Sequence, residues 1–353
     1  MIFGPRPPRE AEGGTLAHSV RANGVRILKG TVLGSRHVEA LRDAGVTEVE
    51  IAMPEPGDVG EDAAAARCAR ALAVDGAHLA ADAPTTGRVN LRALEDGLFV
   101  PSAASIDALN AVDPRLTVAT LPEARVARGE LVATVKIIPF HVREEAVARW
   151  MDSAAGGGMA MRVAAWGGAG DVAVPPDQPQ PIRACRVAHI STELPTLKPS
   201  VMDKTRRVLA ARLEGTGAVL LDEVRVPHER GALSGALDAV RGANVILVFG
   251  ASAVTDAADV VPGAVERAGG VVERVGMPVD PGNLLVLARL GGATVLGAPG
   301  CARSPARNGF DIVLDRALAG VSVTGESLAR MGVGGLLKEG PDRPRPRETA
   351  SDA

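Results

Sequence analysis

From residue 185 onward the apolar positions fall into short runs, separated by stretches in which they recur every three or four residues. CRVAHIS (185–191), AVLLDEVRVP (218–227), NVILVFGA (244–251) and VVERVGMPV (271–279) read as strands, and LLVLARLGGATVLGAPG (284–300) as a hairpin turning at Gly291-Gly292. Between them VMDKTRRVLAARLEGTG, RGALSGALDAVRG and ADVVPGAVERAGG carry helical spacing, and PARNGFDIVLDRALAG (305–320) closes the series as a last helix. Strands alternating with helices of this length predict an α/β fold, three layers with helices on both faces of a mostly parallel sheet.

The first half is less regular. VRILKGTVLG, from Val25, reads as two short strands around Lys29-Gly30. A helix follows, with Ser35 as its cap and Gly45 as its stop, then a strand. GEDAAAARCARALA is an alanine-rich helix over about 61–73. LVATVKIIPFHV (131–142) is a β-type run ended by Pro139, and EEAVARWMDSAA is helical. This half predicts an α+β region over 1–180, ending where the Gly/Pro-crowded stretch 156–181 closes with Pro-Pro and Pro-x-Pro. The second domain then spans 181–322. From Val321 periodicity is lost, and 323–353 reads as a polar, disordered tail.

Composition narrows the function classes. Aromatic residues are 2%, with no Tyr, so base-stacking platforms are hard to assemble, and a formal charge of −3 supplies no basic field. Nucleic acid is excluded as a partner. Three dispersed cysteines, Cys68, Cys185 and Cys301, form no CxxC pair and no disulfide framework. Neither a signal peptide nor a run approaching the ~20 apolar residues of a membrane span is legible, so a cytoplasmic protein away from membranes is expected.

In sheets of this kind ligands sit beyond the carboxyl ends of the strands. Four loops follow predicted strand ends: STELPTLKPSVMDK, GASAVTDAAD, PVDPGN and GAPGCARSP. In the last, Ser304 and Pro305 have the form of a helix start. Its free amides, with Arg303 and Arg307 beside them, predict a phosphate cradle, while Pro299-Gly300 makes the turn sharp. A capped helix with two solvated arginines explains the same residues. In the first loop Thr192, Glu193 and Asp203 are candidates, although Ser200 as cap and Asp203 in the first helical turn need no ligand. In the second, Gly250 and Ser252 precede Asp256 and Asp259, carboxylates spaced to share Mg²⁺ or to act catalytically, with capping by Asp256 as the competing account. Pro281 and Gly282 mark a turn. Cys301 has no histidine near it in sequence, His189 reads as a core residue, and the histidines show no metal-ligand spacing.

Taken in order, these loops resemble those of the molybdopterin-binding domain shared by MogA-type adenylyltransferases and MoeA-type molybdenum insertases. STELPTLKPSVMDKT is similar to the family's first loop, and FGASAVTDAADVVP stands at its glycine-rich turn. PVDPGN stands at its Pro-Gly turn and GAPGCARS at its Leu-Pro-Gly-Asn-Pro turn. The N-terminal region resembles parts of a MoeA-type accessory domain. The chain as a whole is similar to bacterial proteins that continue into a MobA-like nucleotidyltransferase after a segment like ARMGVGGLLKEGPDRPRPRE.

The resemblance implies binding of molybdopterin, or of the molybdenum cofactor, in cofactor biosynthesis. It implies a ligand held by Thr192, Glu193, Asp203, Gly250, Ser252, Pro281, Gly282, Pro299, Gly300, Arg303 and Ser304. Asp256 and Asp259 would serve Mg²⁺ or molybdate, a MobA-like partner would act in trans, and the chain would self-associate. Two departures, Gly250-Ala251-Ser252-Ala253 for a Gly-Gly-Thr-Gly turn and Cys301-Ala302 for Asn-Pro, leave a transferase activity and a docking module without turnover as open alternatives.

Overall fold

The computed structural model describes residues 1–167 and 184–337. The chain divides into two compact units, Met1–Ala164 and Ala165–Ala353. The proline-rich boundary expected near 180 and the tail beyond 337 lie outside the described residues.

The first unit is α+β and has two cores. A four-stranded antiparallel sheet, in the order Leu116–Thr120, Leu131–Ile137, Arg88–Ala93, Leu79–Ala81, packs with helices Glu61–Leu72 and Glu144–Gly156 around the buried rings of Phe99 and Trp150. The alanine-rich helix packs closely because Ala64, Ala65, Cys68 and Ala69 are all small and buried. The smaller core joins helix Ser35–Asp43 to the sheet of Ile2–Arg6, Val49–Met53 and Thr15–Leu16.

Two local expectations change here. Gly34, not Ser35, occupies the helix cap, because the His37 ring accepts the Gly34 N–H at 3.1 Å. The strand expected after Gly30 shrinks to a single bridge between Val32 and Thr15.

The second unit is a six-stranded sheet. Its strands are β1 (Arg186–Glu193), β2 (Val219–Pro227), β3 (Val245–Phe249), β4 (Val271–Val275), β5 (Val286–Leu290) and β6 (Ala293–Ala298), in spatial order β2-β1-β3-β6-β5-β4. β5 alone runs opposite to the other five strands. Helices α1 (Pro199–Leu213) and α4 (Gly309–Leu318) cover one face, packing on Val187, Leu247, Phe249 and Leu296. Helices α2 (Arg230–Ala239) and α3 (Val260–Arg267) cover the other, packing on Ala188, Ile190, Ile246 and Val248. Because both faces are covered, β3 is apolar at every position, which is why VILVF shows no alternation.

Order also continues past the expected end of the domain. A short helix, α5 (Gly325–Ala329), is capped by Thr324 and buries Leu328 in the α4-side core.

Candidate functional site

The direction of the strands decides where the four loops lie. β1, β2, β3 and β6 are parallel, and β4 recovers their direction through the antiparallel β5, so the loops after β1, β3, β4 and β6 all open at one edge. Chain order reverses between β1 and β3: the crossover from β1 leads outward to β2, and the next returns past β1 to β3. A crevice at such a switch point is where open α/β sheets bind ligands.

Thr192 floors this crevice. It is buried at the end of β1, its hydroxyl oxygen accepts the Ala251 N–H at 2.8 Å, and it lies 2.8 Å from His228 Nδ1, beyond the end of β2. Gly250, the first residue after β3, has no room for a side chain: an added Cβ would sit 2.8 Å from the Ser252 carbonyl. Thr192, Gly250 and Arg303 therefore come together. Glu193, Ser252 and Gly300 are exposed at the lips.

Arg303 is not where a helix-start cradle would put it. Residues Gly300–Arg303 form a 3₁₀ turn, Ser304 is extended, and α4 starts only at Gly309. Its cap is Asn308, whose side chain accepts the Phe310 N–H, with Asp311 accepting the Asn308 N–H in return. Asn308 can close a reciprocal box with an acid three residues on, which Ser304, followed by Ala306 and Arg307, cannot. The helix start expected at Ser304 is thus replaced by a loop.

The Arg303 side chain runs inward. It donates to Thr205 Oγ1 at 2.7 Å and to the Gly250 carbonyl at 3.0 Å, and its guanidinium lies 5.5 Å from the Phe249 ring centre. Burial pushes its pKa below the ordinary arginine value. It braces the last loop against β3 and α1. Arg307 is exposed.

The acidic pair is engaged as turn and cap. Asp259, not Asp256, caps α3, accepting the Val260 N–H at 2.7 Å and the Thr255 N–H at 3.1 Å. The Val260 N–H in particular holds its carboxyl below the usual range. Asp256 accepts the Ala258 N–H at 2.7 Å. No group of three His, Cys, Asp or Glu side chains that could hold a metal gathers among the described residues. A two-carboxylate set already hydrogen-bonded to amides is a poor fit to Mg²⁺, and no step through a metal follows from it.

Asp203 also moves from its expected place. α1 begins at Pro199 with Lys198 at the cap, so Ser200 does not cap it, and Asp203 lies in the second turn, 2.6 Å from Arg225. Pro281 and Gly282 form a buried turn against α4: the Gly309 N–H donates to the Pro281 carbonyl at 2.8 Å. A Cβ on Gly282, whose φ is +132°, would lie 2.6 Å from the Gly309 nitrogen. Pro299 is buried and Cys301 half-buried, with burial raising the thiol pKa.

Sequence reasoning missed a polar network behind the rim. His189 is fully buried and edge-on to Phe249, with Ser191 Oγ 3.2 Å from its Nε2. Ser191 donates to Glu223 at 2.6 Å, and Arg225 joins Glu223 to Asp203. Burial lowers the His189 pKa to about 4. Burial pushes Glu223 upward, but hydrogen bonds from Arg225 and Ser191 outweigh it and hold the carboxyl below its usual range. Arg212 and His228 were missed too. Only the i, i+2 polar positions inside β1 hinted at the network, since a strand covered on both faces should carry none.

Residues 187–319 match the family described as a probable molybdopterin binding domain. No curated protein matches the chain. Among solved structures the chain is similar to a molybdopterin biosynthesis MoeA protein from Pyrococcus horikoshii, at 14% identity over 91% of this chain and 76% of that one, with a TM-score of 0.30. It is also similar to the molybdopterin biosynthesis enzyme MoaB from Thermus thermophilus, at 16% over 42% of this chain and 96% of that one, with a TM-score of 0.27. A molybdenum cofactor biosynthesis protein from Pyrococcus furiosus matches at 11% over 91% of this chain and 64% of that one, with a TM-score of 0.24. Strand order, rather than these likenesses, fixes the fold.

Proposed function

We propose, from the match of residues 187–319 to the probable molybdopterin binding domain, that the second unit binds molybdopterin at the carboxyl ends of β1, β3, β4 and β6 and serves molybdenum cofactor biosynthesis. The observation that carries this reading is the convergence of four loops on one sheet edge, with the switch-point crevice floored by Thr192 and Gly250. A pterin presents a guanidine-like edge with two N–H donors, and the exposed Glu193 carboxylate at the end of β1 suits it as a two-oxygen acceptor. Ser252 and Gly300 at the lips supply a hydroxyl and backbone room. Pro281, Gly282, Pro299, Arg303 and Ser304 shape the walls, and Asp203 acts at a remove, through Arg225.

Binding is favoured over adenylyl or molybdenum transfer because Asp256 and Asp259 are engaged by backbone amides. Any transfer step would then fall to a partner such as a MobA-like nucleotidyltransferase acting on the bound pterin.

The test is anaerobic titration of the full chain with molybdopterin, read by oxidising the bound fraction to its fluorescent form. Wild-type protein is expected to retain about one pterin per chain, and Glu193→Gln to weaken binding about tenfold, the size of one charge-assisted contact. Retention no better than for a heat-denatured control would end the reading.

A further inference from the structure

On the outer side of α1 a cavity of about 540 Å³ opens between the helix and the bend at Pro305, lined by Lys204, Arg207, Val208, Ala211, Arg212 and Pro305. We propose that this cavity is a second, separate ligand site, for an organic phosphate that carries an apolar ring or chain.

Helix geometry gathers the lining. Lys204, Arg207, Val208 and Ala211 stand at i, i+3, i+4 and i+7, so their side chains share one face of α1. Lys204 and Arg207 are both exposed, and neither has a hydrogen bond or ion pair among the described residues. Three acids of the surrounding segments are engaged by other arginines: Asp203 by Arg225, Asp222 by Arg206, Asp311 by Arg212. Two like charges one turn apart repel; a dianion between them neutralises both, where a monoanion leaves one uncompensated. A phosphate monoester is such a dianion, and the arginine fork can hold it through two oxygens.

The opposite wall is held in place. Arg212, buried beneath the cavity, donates to Asp311 at 2.6 Å and to the carbonyls of Ala302 and Ser304 at 2.7 Å each, tying the 302–304 backbone to α1 and fixing Pro305 across from Val208. Val208, Ala211 and Pro305 form an apolar floor that inorganic phosphate would leave uncovered. The cavity volume lies within the range of small-molecule sites. The lining contains none of the rim residues assigned to the pterin, and only the Ser304 backbone carbonyl, held by Arg212, is common to the two supports, so binding at each is tested separately.

Pyridoxal 5′-phosphate is a suitable probe, being a flat ring with a phosphate and an aldehyde. Its aldehyde condenses with a lysine amine, losing water, and borohydride then delivers hydride to the imine carbon and fixes the label. The chain has five lysines, Lys29, Lys136, Lys198, Lys204 and Lys338. At substoichiometric reagent the label is expected to concentrate on Lys204, with phenyl phosphate protecting it at concentrations about tenfold below inorganic phosphate. Arg207→Ala, a change at an exposed position, should abolish the preference, and Val208→Asp should do the same by placing a carboxylate in the floor. Labelling spread evenly over the lysines, or a preference for Lys204 that survives both substitutions, would overturn the proposal. Pterin retention measured on the same variants reports the rim independently.

Discussion

Replacing Arg303 with methionine separates a brace from a ligand-facing cation. The substitution keeps most of the stem's volume and removes the guanidinium, with its hydrogen bonds to Thr205 and to the Gly250 carbonyl and its contact with Phe249. A hydrogen bond from a charged donor contributes about 1.5–3 kcal/mol, and the ring contact about 0.5–1 kcal/mol. Against this stands relief from holding a cation where burial disfavours it. Thr205 keeps its own bond to the Val201 carbonyl at 2.8 Å, so the group left most exposed to loss is the Gly250 carbonyl. The balance is a destabilisation of the second unit by about 2–4 kcal/mol.

Hydrogen exchange resolved by peptide is the appropriate assay, because the chain has two units and a single melting curve would merge them. Peptides covering β3 and the 299–304 turn should lose protection, while those from Arg88–Ala93 in the first unit should not change. Unchanged protection in β3, combined with lost ligand binding, would refute the brace and restore Arg303 as a direct anion contact.

Three further outcomes follow from the same contacts. Asp259→Ala should cost about 1 kcal/mol at neutral pH through loss of the α3 cap. Because the folded carboxyl is held below its ordinary value of 3.8, the difference from wild type should shrink as pH falls through that lower value, in urea titrations read by exchange of peptides from α3. His189 is neutral when buried, so its contribution is complete above pH 6.5 and declines as pH falls toward about 4, by on the order of 2–3 kcal/mol. That slope should vanish in His189→Gln, and an unchanged slope would place its origin elsewhere. Gly282→Ala should lower stability by about 2 kcal/mol or more, since its φ of +132° and the 2.6 Å approach to Gly309 both oppose a side chain, and lost hydrogen-exchange protection in peptides from α4 and the turn at Gly282 would register the change.

The pattern of apolar residues was enough to determine the second unit's succession of strands and helices, the hairpin at Gly291-Gly292 and the α/β class, because those features depend on periodicities of two and 3.6 that any segment carries within itself. It also placed the loops after β1, β3 and β6 on one sheet edge, since parallel strands joined by helices leave them no other place, whereas the loop after β4 reaches that edge only because β5 runs antiparallel. What those loops do with their side chains was decided elsewhere. Whether Arg303 points out or in depends on Thr205 and Gly250, 98 and 53 residues away. Asn308 displaced Ser304 as the α4 cap once Asp311 could close the box, and Asp256 lost the α3 cap to Asp259. Likewise Lys204 and Arg207, unremarkable charges in the sequence, line a cavity only because Arg212 ties a distant turn across from them. Periodicity is local and survives in the sequence, whereas the partner of a charged group is chosen by the packing of segments far apart in the chain, and only the tertiary structure records that choice.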